Sequence, residues 1–438
     1  MRRLSGYLLA TLVALIVLVA LIVSGLRLAL PHLETFRPQI VEKIEQYSGV
    51  PVKIGALNAN WQSFGPTLEV RNISVAQPKG NISIQRVTVA LDVWQSLLHW
   101  RWQFRDLTFY HLQADSNEPL SGSSSDSKGI ESDGITDIFL YQFDHFILRD
   151  SKITFPSPSG PRIQLEIPNL TWLNTATRHR AEGQVMFSTP EGQHGNMQVR
   201  MDLHDKNGLL SDGTVYLQAD EIEMKPWLSR WVNRNTGLHS ARFSLASWLT
   251  VTDGEIQGGH LLLKQGEANW STADKQHELT VDNLTLQVGR IAGGWTFDIP
   301  QLNLSTDGVA WPKGSLSAMY RPENTHFIGP DQPEELRLRA TDLQLERIGP
   351  ILPTLAFLTP DALGRWDDIR PKGHIAFAGV DIPLQQPERA RFIGEWQDVS
   401  WQPWKLLPGV NHFNGSISGS AMNAGLKFSL KDSLLPYG

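Results

Sequence analysis

The run VTVALDVWQSLLHWRWQFRDLTF, Val87–Phe109, changes its period twice. Val87, Val89, Leu91 and Val93 are apolar, and Thr88, Ala90 and Asp92 between them are small or polar. Alternation of this kind makes a strand with one apolar and one polar face. Trp94 to His99 breaks it and reads as a short helix, after which the chain returns as a strand through Phe109.

The same alternation recurs after Gly49: Phe243 and Leu245; Leu284, Leu286 and Val288; Leu302 and Leu304; Leu336, Leu338 and Ala340; Ile375 and Phe377; Leu426, Phe428 and Leu430. Glycine, asparagine, aspartate and proline punctuate the runs. Roughly 25 strand candidates and very few helix candidates result. Weak internal repeats accompany them. Ala219-Asp220-Glu221-Ile222 returns as Ala340-Thr341-Asp342-Leu343 and as Trp396-Gln397-Asp398-Val399, each a strand running into a short helix or turn. A simpler echo joins Asp106-Leu107-Thr108-Phe109, Lys152-Ile153-Thr154-Phe155, Asn169-Leu170-Thr171-Trp172 and Asn283-Leu284-Thr285-Leu286. Recurring units favour a stacked array over an ordinary sandwich.

Upstream of the strands, Met1, Arg2 and Arg3 precede the uncharged run Tyr7–Val23. Its length suffices to cross a bilayer core of roughly 30 Å. The arginines place the N-terminus in the cytoplasm. A cleaved signal peptide is the rival reading, but the apolar run is longer than the usual signal core and no Ala-x-Ala site follows it. Residues 1–30 are therefore expected to form a cytoplasmic N-terminus and transmembrane anchor. Residues 31–49 follow as an amphipathic juxtamembrane helix, with Leu33, Phe36, Ile40 and Ile44 spaced to lie on a membrane surface. Packing over the first strands would account for the same spacing.

The chain has 438 residues, 41% hydrophobic and 19% charged, with a formal net charge of −6. Wholesale disorder is excluded, and a nucleic-acid role has no electrostatic support. There is no cysteine, which removes thiol nucleophiles, zinc–thiolate sites and disulfides. Fifteen tryptophans suit a half-buried sheet with some side chains at a lipid interface.

The expected fold class is mainly β: an N-terminal transmembrane helix followed by an elongated, twisted β-sheet groove of repeating, solenoid-like (β-taco) construction. Residues 50–115 form the first part of the groove. Residues 116–134, small and polar, read as a flexible loop. Residues 135–438 continue the groove. An apolar strand, Leu426–Leu430, stands almost at the end without a closing cap, so the chain is expected to be the front part of a longer one.

Ile54-Gly55-Ala56-Leu57, the run Trp61–Glu69 (WQSFGPTLE), Asn72-Ile73 and Val87–Phe109 together resemble the opening of AsmA-like proteins of Gram-negative bacteria. Long members of that family are several times the length of this chain, and the likeness loosens after the serine-rich stretch. The resemblance implies an inner-membrane anchor and a long periplasmic β-groove. It also implies bridge-like carriage of phospholipid toward the outer membrane, with effects on the permeability barrier and on enterobacterial common antigen. It offers no catalytic motif.

The residues suit such a task. At about 0.8 kcal/mol per CH₂, two acyl chains cost on the order of 25 kcal/mol if exposed to water. A continuous apolar channel hides them at every step. The candidate groove lining is Val87, Val89, Leu91, Trp102 and Phe104 in the first part. Leu284, Leu286, Val288, Leu302, Leu304, Leu336 and Leu338 follow in the second. The alternative is a dry core packed against a second layer. In that case the chain is a membrane-anchored periplasmic scaffold or assembly factor for outer-membrane proteins. Phospholipids and the inner membrane are the expected partners, with outer-membrane or other envelope proteins as further candidates.

The search for catalysis finds little. Asp202, His204 and Asp205 form a small cluster, as do Glu221 and Glu223, but no third ligand stands at a telling distance. His374 and His412 are isolated. No Gly-x-Ser-x-Gly, His-Glu-x-x-His or phosphate-binding glycine loop occurs. Gly258-Gly259 and Gly293-Gly294 read as turns between strands. No enzyme activity, metal or cofactor is expected.

Overall fold

The computed structural model describes residues 17–18, 20–21, 23–25, 27–48, 50–62, 65–77, 80–99, 103–117, 143–156, 162–189, 192–206, 209–225, 237–253, 255–272, 275–323, 333–355, 358–420 and 423–430. They are mainly β, in two units: residues 1–193 with 199–211, and residues 194–198 with 212–438.

In the first unit a 3-10 segment, Leu30–Phe36, continues into helix α1, Arg37–Ser48. Both lie along strand β1, Val52–Gln62. The Glu45 carboxylate accepts from the Val52 N–H at 2.8 Å, and Glu34 accepts from the Leu57 N–H at 2.7 Å. Arg37 donates to the Gly55 carbonyl. These contacts occupy backbone groups on the edge of β1 that would otherwise invite pairing with another chain. Strands β2 (Gly65–Gln77), β3 (Gly80–Leu91) and β4 (Phe104–Ser116) follow as an antiparallel meander, with helix α2 (Val93–His99) between the last two. Strand β5 (His145–Pro156) pairs with β4 in parallel. A parallel pair needs a crossover rather than a tight turn, and the intervening serine-rich loop expected at 116–134 lies outside the described residues beyond Asn117. Strands β6 (Arg162–Asn174), β7 (Arg178–Thr189) and β8 (Gly192–Lys206) complete the series.

One ladder row, Leu57–Val70–Val87–Phe109–Leu148, crosses five strands, and every side chain in it is buried. Aromatic packing extends this core. Phe146 meets Phe109 edge-on at 6.1 Å and stacks on Trp172 at 5.6 Å.

The second unit carries β9 (Leu209–Glu223) from Asp212 onward, β10 (Leu238–Thr252), β11 (Glu255–Ser271), β12 (Gln276–Ile291), β13 (Gly294–Ile299), the short pair β14 (Leu304–Thr306) and β15 (Val309–Ala310), and β16 (Leu316–Arg321). After β17 (Glu335–Gln344) come helices α3 (Leu345–Ile348) and α4 (Pro360–Ile369). Strands β18 (Lys372–Pro383), β19 (Arg391–Trp401), β20 (Val410–Ser420) and β21 (Ala424–Leu430) follow. All described pairings here are antiparallel.

Strict alternation does not run the full length of the strands. Asn72, His111, Asp150, Glu221, Asn283, Asp342, Asp398 and His412 sit inside strands at positive φ, between 48° and 54°. The ladders pass over Asn72, His111, Asn283 and Asp342. A left-handed residue turns the chain, so the residues two before and one after it share a face. Val70 with Ile73, Ala219 with Ile222, and Val281 with Leu284 are such pairs. Left-handed backbone disfavours most side chains but is more accessible to Asn, Asp and His. The repeated third residue of the copies noted above, Glu221, Asp342 and Asp398, is this position.

Of the anchor expected at Tyr7–Val23, residues 17–18, 20–21 and 23 are described, and all are helical. No helix among the described residues is long and apolar enough to cross a membrane.

Candidate functional site

The second unit's apolar face opens into a cleft of about 520 Å³. Two neighbouring ladder rows build it. Phe297 pairs with Ala318, Ala318 with Leu338, and Leu338 with Val380. One step along, Ile299 pairs with Leu316, Leu316 with Ala340, and Ala340 with Ala378. Leu286 of β12 lines it as well. Three alanines keep the floor low while Phe297, Leu316, Leu338 and Val380 stand as walls. Phe297 and Leu338 are 37% and 39% exposed, so the cleft is open and its walls are not packed against each other.

The pleat alternates these with residues whose side chains belong to the opposite face, although Ser317, Arg339 and Gly379 among them also border the cleft. That face is charged: Arg339 pairs with Asp381 at 2.6 Å, and Arg337 with Glu335 at 2.8 Å. Its hydrogen bond to Glu335 raises the Arg337 pKa further.

One end of the cleft closes against a dry core. Val281, Leu284 and Leu302 are buried together, with Phe243, Leu263, Leu304, Trp311 and Leu343 around them. Ile299 and Leu316 belong to both the core and the cleft wall. The β14–β15 hairpin is tied to the start of β12 by Asp307, whose carboxylate accepts from His277 at 2.9 Å, Lys275 at 3.0 Å and the Glu278 N–H at 3.1 Å. Burial disfavours the Asp307 charge, but these bonds outweigh it and lower the pKa to about 2. Toward the other end stands the row Trp295, Tyr320, Leu336 and Ile382. The Tyr320 hydroxyl donates to Glu334 at 2.7 Å.

The expected lining residues thus fall into distinct places. Leu286 and Leu338 line the cleft. Leu284 and Leu302 are in the dry core, and Leu304 packs on it. Val288 and Leu336 are half-buried on the apolar face beside the cleft. In the first unit Val87 is buried in its own packed row, and Val89, Leu91 and Phe104 are half-buried. Trp102 lies outside the described residues. Of the surface-helix set, Phe36 and Ile44 are exposed and Leu33 and Ile40 half-buried. Phe297, Leu316 and Val380 are not among the lining residues expected from sequence, although Phe297 closely follows the turn read at Gly293-Gly294.

The isolated polar residues have structural partners. Asp202 receives two hydrogen bonds from Arg178, at 2.7 and 2.5 Å, which lower its pKa. Glu223 accepts from the Ala241 and Lys225 N–H groups. His374 faces Asp342 at 3.2 Å, and His412 pairs with Asp398. Among the described residues no three His, Asp or Glu side chains are grouped to hold a metal.

The family model described as YhdP protein matches residues 1–438. The chain is 50% identical over 440 residues to the intermembrane phospholipid transporter YhdP of Escherichia coli (strain K12). That alignment covers all of this chain and 35% of the relative, so the chain spans about a third of the length of the curated protein it matches. No solved structure matches it.

Proposed function

The chain belongs to the YhdP family, and on that footing we propose that it forms part of a carrier of glycerophospholipid between membranes. The cleft of the second unit would receive the acyl chains. Supporting this is one observation above the rest: Phe297 and Leu338 stand partly exposed in an apolar cleft of about 520 Å³. The volume falls within the usual range for small-molecule sites. A dry core would bury both side chains, as it buries Leu284 and Leu302 beside them.

In this reading Tyr7–Val23 anchors the chain in the inner membrane, with the N-terminus in the cytoplasm and the strands in the periplasm, and lipid moves toward the outer membrane. Movement is passive: sliding along an apolar surface exchanges one burial for another, and no nucleotide, metal or catalytic group is required of this chain.

Site-specific photocrosslinkers at Leu286 and Leu338 in intact cells, with controls at Gln287 and Arg337 on the opposite face, test it. Mass spectrometry should find phospholipid attached at the first two positions only. Folded, membrane-bound protein that captures no lipid at either would leave the cleft without a lipid role and favour the scaffold.

A further inference from the structure

Helix α2 turns two large apolar side chains to solvent: Trp94 is 62% exposed and Leu98 75%. They lie four residues apart, on one side of the helix. The other side is fastened to the sheet. The Ser96 hydroxyl donates to the Gln103 carbonyl at 3.3 Å and accepts from the Gln103 N–H at 2.9 Å. The Asp92 carboxylate accepts from the Gln95 N–H at 3.0 Å, and the Asp92 N–H donates to the Gln103 carbonyl at 2.8 Å. Trp94 and Leu98 are therefore held outward by design of the turn.

The place of this helix matters as much as its face. It follows Leu91, whose carbonyl lies so close to Gly65 that a Cβ there would come within 2.3 Å. Arg105 donates to the Gln62 carbonyl at 3.4 Å. Thus α2 stands at the sheet end formed by Gln62 and Gly65. The N-terminal segment leaves the sheet at the same end. Glu45 lies beside Val52 and Glu34 beside Leu57, so the segment runs antiparallel to β1 and its first residues, from Leu30, point toward the Gln62 end. In the sequence the apolar run Tyr7–Val23 comes shortly before Leu30, on the side of the segment that points to this end. The surrounding sequence, VWQSLLHWRWQFR at 93–105, adds Trp100 and Trp102, two arginines and no carboxylate. Tryptophan with arginine is the composition of a membrane interface facing anionic headgroups.

We propose that α2 is a second membrane contact, inserting Trp94 and Leu98 into the interface of the bilayer that the N-terminal run enters. The first unit then stands on the membrane at two points, its strand ends Gln62, Gly65, Leu91 and Phe104 held at the lipid surface. This rests on reading Tyr7–Val23 as an anchor, and the test separates the two.

The chain contains no cysteine, so single labels are unambiguous. Nitroxides are placed by Leu98→Cys and, independently, Trp94→Cys in the full chain, reconstituted into vesicles of phosphatidylethanolamine and phosphatidylglycerol. Leu18→Cys reports the anchor, and Gln113→Cys, at the opposite end of β4, reports water. The ratio of oxygen to nickel-chelate accessibility at 94 and 98 is expected to exceed that at 113 several-fold and to approach that at 18. A bilayer value at 18 with aqueous values at 94 and 98 overturns the proposal and leaves the anchor standing. Aqueous values at all four positions overturn both.

Discussion

Val281 and Leu284, three residues apart on β12, point into one core because Asn283 between them lies at a φ of 50°. In an unbroken strand an odd separation puts side chains on opposite faces. Asn283 therefore decides which residues β12 buries beyond the cleft, and Asp342, at a φ of 51°, holds the matching position on β17 between Ala340 of the cleft floor and Leu343, which packs on the core.

The first prediction concerns that residue. Asn283→Val places a β-branched side chain at left-handed backbone, and stability should fall by about 1–3 kcal/mol. Asn283→Gly keeps the conformation and should cost well under about 1 kcal/mol. Urea unfolding of the two variants beside the parent decides it. Equal losses would mean that the amide's contacts, not its φ, matter.

A second pair of substitutions separates core from cleft. Leu302 is 1% exposed in the dry cluster, so Leu302→Ala should cost about 2–5 kcal/mol through lost burial and a cavity. Leu338→Ala removes a wall that is already partly exposed, and should cost about 1 kcal/mol or less while reducing lipid capture at Leu286. Thermal unfolding and crosslinking on the same samples give both readouts. Comparable stability losses would show that Leu338 is core.

These residues also show how far the sequence could be read. The alternation at Leu284, Leu286 and Val288, and at Leu336 and Leu338, correctly placed each group on an apolar face. It did not tell a buried Leu284 from an open Leu338, because that difference comes from curvature and from which element closes over the strand. Leu304 of β14 and Trp311 just after the β14–β15 hairpin pack on the cluster that holds Leu302, and nothing local in Leu302 announces that. The repeats at Glu221, Asp342 and Asp398 were visible as repeats, but their meaning is a backbone angle, and only the preference of Asp and Asn for left-handed conformation hinted at it. Helix α4 was not anticipated. Yet Thr359-Pro360-Asp361 carries a start signal: the Thr359 hydroxyl accepts from the Ala362 N–H, and proline takes the first turn.

Filling the cleft should stop its use without unfolding the sheet. Ala340 is a floor residue with Leu316 and Ala378 as ladder partners. Ala340→Trp occupies volume that is open to solvent, so stability should change by no more than about 1 kcal/mol, below the cost of overpacking a closed core. Phospholipid captured at Leu338 should fall to the level of the opposite-face control. A well-folded variant that still captures lipid at the parental level would remove the cleft from the path.

The remaining prediction follows from proton linkage at Asp307. Its pKa is about 2 in the folded chain against 3.8 for an unperturbed carboxyl. A carboxylate with a depressed folded pKa contributes stability that is fully present above the unfolded value and lost as pH falls through the folded one. The contribution should therefore be constant from neutral pH down to about 4 and disappear between about pH 4 and pH 2. What weakens there is the tie from His277, Lys275 and the Glu278 N–H that holds the β14–β15 hairpin to the start of β12. Asp307→Asn should begin about 1–3 kcal/mol less stable at neutral pH, having lost charge-assisted bonds, and should lack this acid-dependent step. Urea midpoints of parent and variant across the window make the comparison. Curves that stay parallel down to about pH 2 would place the acid sensitivity in other carboxylates and detach Asp307 from the stability of the hairpin.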